Sequence, residues 1–253
     1  MISQNHLTMK TSVALLLIIT LTCCQRTENK NAVAETPAAI TNLPQLTEAQ
    51  QAEGWQLLFD GHSLNGWRTY KNKPANSWEI VDGTLHCLPF DSANQRADLI
   101  TVNQYENFEL AFEWKIGPQG NSGVMYRVTE AYDEPYLSGP EYQLLDDVGY
   151  PGETKEVNTS GANYDMHAPQ NKKLNPAGEW NTTKIVVNGN HVEHWLNEIK
   201  VVEYELNSPD WQQRKEASKW KDEKGYGLAT SGHIDLQDHG GEVWLRNILI
   251  RIL

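Results

Sequence analysis

The chain has 253 residues, with 21 Lys and Arg against 33 Asp and Glu, for a formal charge of -12. That balance argues against a nucleic-acid binder, because phosphate contact needs a basic surface. The 9 Trp and 10 Tyr outnumber the 4 Phe, a bias toward rings with a polar atom that suits sugar stacking and a large β-sandwich alike.

Lys10 precedes an apolar run from Val13 to Leu21 that ends at Thr22-Cys23-Cys24. A short positive start, an apolar run too short to span a bilayer and a small-residue stop describe a secretory signal, with Met9 a better start than Met1. Leu21-Thr22-Cys23-Cys24 resembles a bacterial lipoprotein box, in which Cys24 would carry the lipid. The expected organisation is a signal peptide over 1–24, a flexible tether over 25–45 and one domain over 46–253. The expected address is the bacterial cell envelope, lipid-anchored, on the periplasmic side or the outer-membrane surface. With two of the 3 cysteines in the leader, only Cys87 lies in the body, so no disulfide framework is available.

After a short helix over 46–52, strand-like runs alternate with Gly, Pro and Asn turns, and no series of helical patterns supports an α/β crossover fold. Val186 to Val192 reads as a hairpin around Asn188-Gly189, a pair that supplies positive φ cheaply. Leu196 to Ile199 reads as a second tight turn. In Asn121 to Val128 the even positions Val124, Tyr126 and Val128 are apolar, and in His233 to His239 Ile234 and Leu236 alternate with polar residues. Such strands bury one face and show the other. Ile248, Ile250 and Ile252 mark a final strand. The fold class is all-β: two antiparallel sheets in a sandwich or jelly roll, with a curved polar face forming a groove.

Four constellations could carry chemistry. In Gly139 to Asp147, Glu141 and Gln143 share the outward face, while Asp146 falls on the inward parity unless the strand ends near Leu145. Arg127, beside Asn121, offers a fixed fork of donors for sugar hydroxyls or an enolate oxygen, or a structural ion pair with Glu141. His191 and His194 are three apart on one strand and face opposite ways, so they cannot share a metal, and His194 has the parity of apolar Val192 and Leu196. Gln237 and His239 share a polar face before Gly240-Gly241, a common position for a general base. No phosphate loop, nucleophile elbow, zinc spacing or dinucleotide fingerprint is present.

Taken in order, Leu58-Phe59-Asp60-Gly61 with Leu64-Asn65-Gly66-Trp67, Trp78 to Gly83, Gly120-Asn121-Ser122-Gly123-Val124, Gly139-Pro140-Glu141-Tyr142-Gln143, Pro176 to Asn181, His191 to Asn197 and Gly232 to Gly240 form one set. It resembles the 3-keto-disaccharide hydrolase family, over about Gly54 to Leu253, with Glu198 standing where a turn glycine is usual. The resemblance implies a concanavalin A-like jelly-roll β-sandwich and a secreted enzyme that cleaves 3-keto-glycosides by C2-proton abstraction, elimination and hydration. On that reading Glu141 and His239 are the acid and base, order open. Asn121, Arg127 and Gln143 hold the ketone and hydroxyls, with Asp146, His194 and Gln237 behind them. No cofactor is expected, although a divalent cation could replace Arg127 as the enolate's partner. The expected partners are a carbohydrate substrate and a separate oxidoreductase that makes the ketone, with the membrane touched only through the lipid anchor. The competing readings are a non-catalytic carbohydrate-binding module and a conventional two-carboxylate glycosidase.

Overall fold

A computed structural model describes residues 43–253. The leader, Cys24 and most of the tether lie outside the described residues. Thr47 caps the first helix, α1 (Glu48–Ala52), in a reciprocal capping box with Gln50. The strands are β1 (Trp55–Leu57), β2 (Trp67–Thr69), β3 (Trp78–Val81), β4 (Thr84–Cys87), β5 (Leu99–Thr101), β6 (Phe108–Ile116), β7 (Asn121–Val128), β8 (Glu141–Leu145), β9 (Asn181–Asn188), β10 (His191–Leu196), β11 (Ile199–Glu205), β12 (His233–Leu236) and β13 (Val243–Ile252). A second helix, α2 (Pro209–Ala217), follows β11.

The strands form the expected antiparallel sandwich. One sheet runs β11-β10-β9-β6-β13-β4-β3, with β1 also on β13; the other runs β2-β5-β12-β7-β8. β6 shows how period two builds the core: Phe108, Leu110, Phe112, Trp114 and Ile116 are buried, and the residues between them are half-exposed. From the smaller sheet, Val124, Tyr126, Tyr142, Leu144, Ile234 and Leu236 meet them. Asn197 and Glu198 close the β10–β11 turn with φ of +46° and +66°, so Glu198 adopts the conformation a glycine would take more cheaply.

The other face of the smaller sheet is not solvated. The long β8–β9 connection returns along the free edge of β8: Tyr164 donates its N–H to Glu141 O at 3.0 Å, and Gly161 donates to Gln143 O at 2.9 Å. The connection from β11 to β12 folds over the same region. A column of rings fastens it: Tyr204 on Trp211 (5.2 Å between centroids), Trp211 on Tyr226 (5.7 Å) and Tyr226 on Trp220 (4.4 Å). Ser208 caps α2 through the Trp211 N–H, and Trp211 is the residue that the helix buries.

One irregularity redirects a strand. β12 pairs Asp235 with Met125 but His233 with Val128, so Tyr126 and Arg127 together oppose one residue. Arg127 is the extra residue of this bulge, with φ of +54°. The alternation expected for β7 therefore breaks here: Val128 joins Tyr70, Ile100 and Met125 in a small cluster on the outer face.

Candidate active site

Register across the smaller sheet assembles a polar floor. Met125 on β7 lies between Asp235 on β12 and Glu141 on β8, and Gly123 lies opposite Gln143. Gln237 continues the second rung, donating its N–H to Gly123 O at 2.9 Å. Glu141 leans across Gly123, where a Cβ would overlap its carboxyl. Glycine is thus needed here because of close approach by a side chain.

The floor is rich in acceptors without protein partners. Among the described residues, Asn121 Oδ1, Gln143 Oε1 and Gln237 Oε1 are buried and unpaired, as are both carboxyl oxygens of Asp235. Buried polar atoms seldom stay unpaired in a native protein. Three amide oxygens on one face are suited to accept from the hydroxyls of a sugar.

The electrostatics follow from burial. Glu141 is 4% exposed, and burial pushes its pKa up to about 8, with Asp98 adding repulsion and Lys219 partly opposing. Burial also raises Asp98 to about 7 and drives Asp235, fully buried between them, well above the carboxylate range. Lys219 stands over this floor, its ammonium 4.1 Å from the Tyr164 ring centroid and 4.2 Å from that of Trp220. Burial of that end lowers its pKa, and Glu141 pulls it back up. His239 lies at the solvent-exposed rim, where burial of its ring and the charge of Lys219 depress its pKa. At neutral pH the hollow thus holds a protonated carboxyl, a neutral imidazole and an ammonium, the set required for acid–base work on a polar substrate.

The structure brings Glu141, Gln143, Asn121, Gln237 and His239 to this one region and leaves three expected residues out. Arg127 is turned by the bulge; its guanidinium donates to Glu106 O at 3.2 and 2.8 Å and to Gly189 O at 2.8 Å, and it makes no ion pair with Glu141. It ties two loops together. His194 is fully buried between the sheets, Nδ1 3.1 Å from Gly161 O and Nε2 3.1 Å from the Tyr126 hydroxyl, which in turn meets that of Tyr204. Burial lowers its pKa to about 3, so it is a neutral core histidine. Asp146 lies past the end of β8 and accepts the N–H groups of Gln119 (2.8 Å) and Gly149 (3.0 Å), closing a turn. The region also contains residues the sequence reading passed over. Lys219 sits in a charged run with no period, and Asp98 precedes a three-residue strand. Asp235 was visible only as one polar position among several.

Among the described residues, His191, Glu193 and Glu203 have ligand-type atoms within 4.8 Å of one another. They lie on the larger sheet, and the Lys200 ammonium already bridges the two carboxylates at 3.2 and 2.7 Å. This set is remote from Glu141.

The model of the 3-keto-alpha-glucoside-1,2-lyase-like domain family matches residues 54–251. A 3-keto-disaccharide hydrolase of Bacteroides thetaiotaomicron is 37% identical over 235 residues, which cover 80% of this chain and 79% of that one. A crystal structure of a Parabacteroides distasonis protein assigned as a glycosyl hydrolase matches with a TM-score of 0.78 at 37% identity, over 84% of this chain and 100% of that one. A second from the same organism gives 0.62 at 28% identity, over 79% of this chain and 99% of that one. These matches identify the protein as a hydrolase belonging to the 3-keto-alpha-glucoside-1,2-lyase-like domain family.

Proposed function

We propose that the protein cleaves 3-keto-glycosides by elimination followed by hydration. The ketone at C3 acidifies the C2 proton, because the carbanion formed is an enolate. Neutral His239 takes that proton. The C1–O bond breaks as the enolate collapses to an enone, and protonated Glu141 gives its proton to the departing glycosidic oxygen. Water then adds at C1, returning a proton to Glu141, while imidazolium His239 reprotonates C2, and the sum is hydrolysis. Lys219 takes the place expected for Arg127, as the positive charge nearest the developing enolate. Asn121, Gln143 and Gln237 accept from the ring hydroxyls.

The observation that carries this reading is Glu141, a buried carboxyl held protonated over Gly123, with the charge of Lys219 acting both on it and on His239 at the rim. A conventional glycosidase needs its second carboxylate ionised, whereas burial raises the pKa of both Asp98 and Asp235. A carbohydrate-binding module has no use for a buried acid. On this proposal a separate oxidoreductase supplies the ketone, and the enzyme works at the cell envelope behind a lipid anchor on Cys24.

The test is incubation with a 3-keto-glucoside in heavy water. Release of the aglycone with deuterium at C2 of the sugar is expected. Release with the C2 proton retained, or equal turnover of an unoxidised aryl glycoside, would reject the mechanism.

A further inference from the structure

His239 takes the C2 proton in the function proposed above, yet among the described residues no side chain holds its imidazole. The hydrogen bond that bears on its charge is to its own backbone. Its aim is therefore set by the chain from Gln237 to Gly241, and that chain is fixed along its length. Ser122 Oγ donates to Gln237 O at 2.9 Å. The Asp238 N–H donates to Asp98 Oδ1 at 2.8 Å. The Gly240 N–H donates to Asp238 Oδ1 at 3.2 Å, closing a turn with His239 at its middle. A Cβ on Gly241 would overlap the backbone of Asn121, so the loop ends tightly against β7.

Arg96 holds the centre of this arrangement. Its Nε and Nη2 both donate to Asp238 Oδ1, at 2.9 and 2.6 Å. Nη2 also donates to Leu88 O at 2.6 Å, and Nη1 donates to Pro89 O at 3.3 Å. The guanidinium thereby fastens the His239 loop to the chain that leaves β4. Phe90 completes the joint, its ring centroid 5.9 Å from Arg96 Cζ and its edge against Gly240. The pair is not built for strength alone. A guanidinium and a carboxylate frequently meet as two forks, with one prong on each oxygen. Here both prongs, the Gly240 N–H and the Cys87 thiol (3.4 Å) converge on Oδ1. The Asp238 side chain has no exposure, and its Oδ2 has no protein partner. A bare buried oxygen is costly, so the geometry favours the turn around His239 over the strength of the ion pair.

We propose that Arg96 and Asp238 are positioning residues: the guanidinium orients the Asp238 carboxylate, and the carboxylate holds the backbone that follows His239 so that the imidazole faces C2 of the substrate. Asp98 holds the backbone that precedes it. The proposal rests on the function proposed above. Neither Arg96 nor Asp238 transfers a proton. Lysine in place of Arg96 keeps the charge and loses the rigid pair of prongs.

The experiment measures kcat, KM and the C2 deuterium isotope effect with a 3-keto-glucoside, in wild type, Arg96→Lys and Arg96→Ala, the last with and without methylguanidinium. Arg96 and Asp238 wall a cavity of about 210 Å³, which gives the added cation a route to the carboxylate. In Arg96→Lys kcat should fall about 100-fold through misplacement of the base, with KM little changed because Asn121, Gln143 and Gln237 are untouched. The isotope effect should grow as proton transfer from C2 becomes slower than the other steps. Methylguanidinium should restore kcat in Arg96→Ala and do nothing for Arg96→Lys. A folded Arg96→Lys protein with wild-type kcat would overturn the positioning role and leave the chemistry standing. So would a loss of kcat with an unchanged isotope effect and no rescue. Failure of both variants to fold would overturn it too, since the pair would then be an element of the fold. Wild-type protein that retains the C2 proton in heavy water would overturn the proposed function, and this role with it.

Discussion

Replacing Glu141 with Gln keeps the outline of the side chain and removes its proton. In the folded protein the carboxyl has a pKa of about 8, raised by burial from an ordinary 4.5. Between those values the folded chain holds a proton that the unfolded chain has released. Stability is therefore greatest below the unfolded value and falls as pH rises through the folded one. Each pKa unit is worth about 1.36 kcal/mol, so charging Glu141 in place costs on the order of 5 kcal/mol by about pH 9. The amide of the Glu141→Gln variant carries no such cost. For a domain of this size about 1 kcal/mol moves Tm by about 2–4 °C. Thermal melts from about pH 5 to about pH 9 should then show the variant gaining roughly 10 °C on the wild type. Turnover of a 3-keto-glycoside should fall about 10²- to 10⁴-fold, the usual contribution of a positioned general acid. The basic limb near the pKa of Glu141 should vanish from the residual rate profile. Melting temperatures that run parallel across this range would refute the buried, protonated carboxyl, and undiminished turnover would refute its role as acid.

Gly123→Ala should push the Glu141 carboxyl aside and lower kcat by about 100-fold, while circular dichroism shows the sandwich still folded. Arg127→Met should act on stability instead: three hydrogen bonds to the carbonyls of Glu106 and Gly189 disappear, costing on the order of 3 kcal/mol in a urea titration, with KM unmoved. Lys219→Met should cut kcat by about 100-fold. It should also move the basic limb of the pH profile upward, because Lys219 holds the pKa of Glu141 down.

How much of this was legible in the sequence depends on the range of the interaction. Period-two alternation in Phe108 to Ile116, the Asn188-Gly189 turn and the shared face of Glu141 and Gln143 are local, and they place the sheets and half of the floor. The bulge at Arg127 is a property of the pairing with β12, and nothing within β7 announces an extra residue. It reversed the direction of a side chain that alternation had aimed into the groove. Asp146 failed for a similar reason: β8 ends at Leu145, and the carboxylate turns back to cap the chain that follows. His194 was readable, since its parity with Val192 and Leu196 pointed into the core where it lies. The polar face of the smaller sheet read as solvated because its cover comes from aperiodic connections distant in sequence. Lys219, carried by one of them, had no signal of its own. The α2 start did have one, Ser208-Pro209-Asp210, but only Trp211 marks its buried side.

The connections that cover the smaller sheet have a consequence for timing. The proton on Glu141 is there because water is not. Should the Trp220 and Tyr164 segments lift, solvent would reach the carboxyl, its acidity would return to that of a free side chain, and at neutral pH the proton would be gone. Enclosure and readiness to react are thus a single property of this fold: an open enzyme is disarmed, and a shut one is loaded.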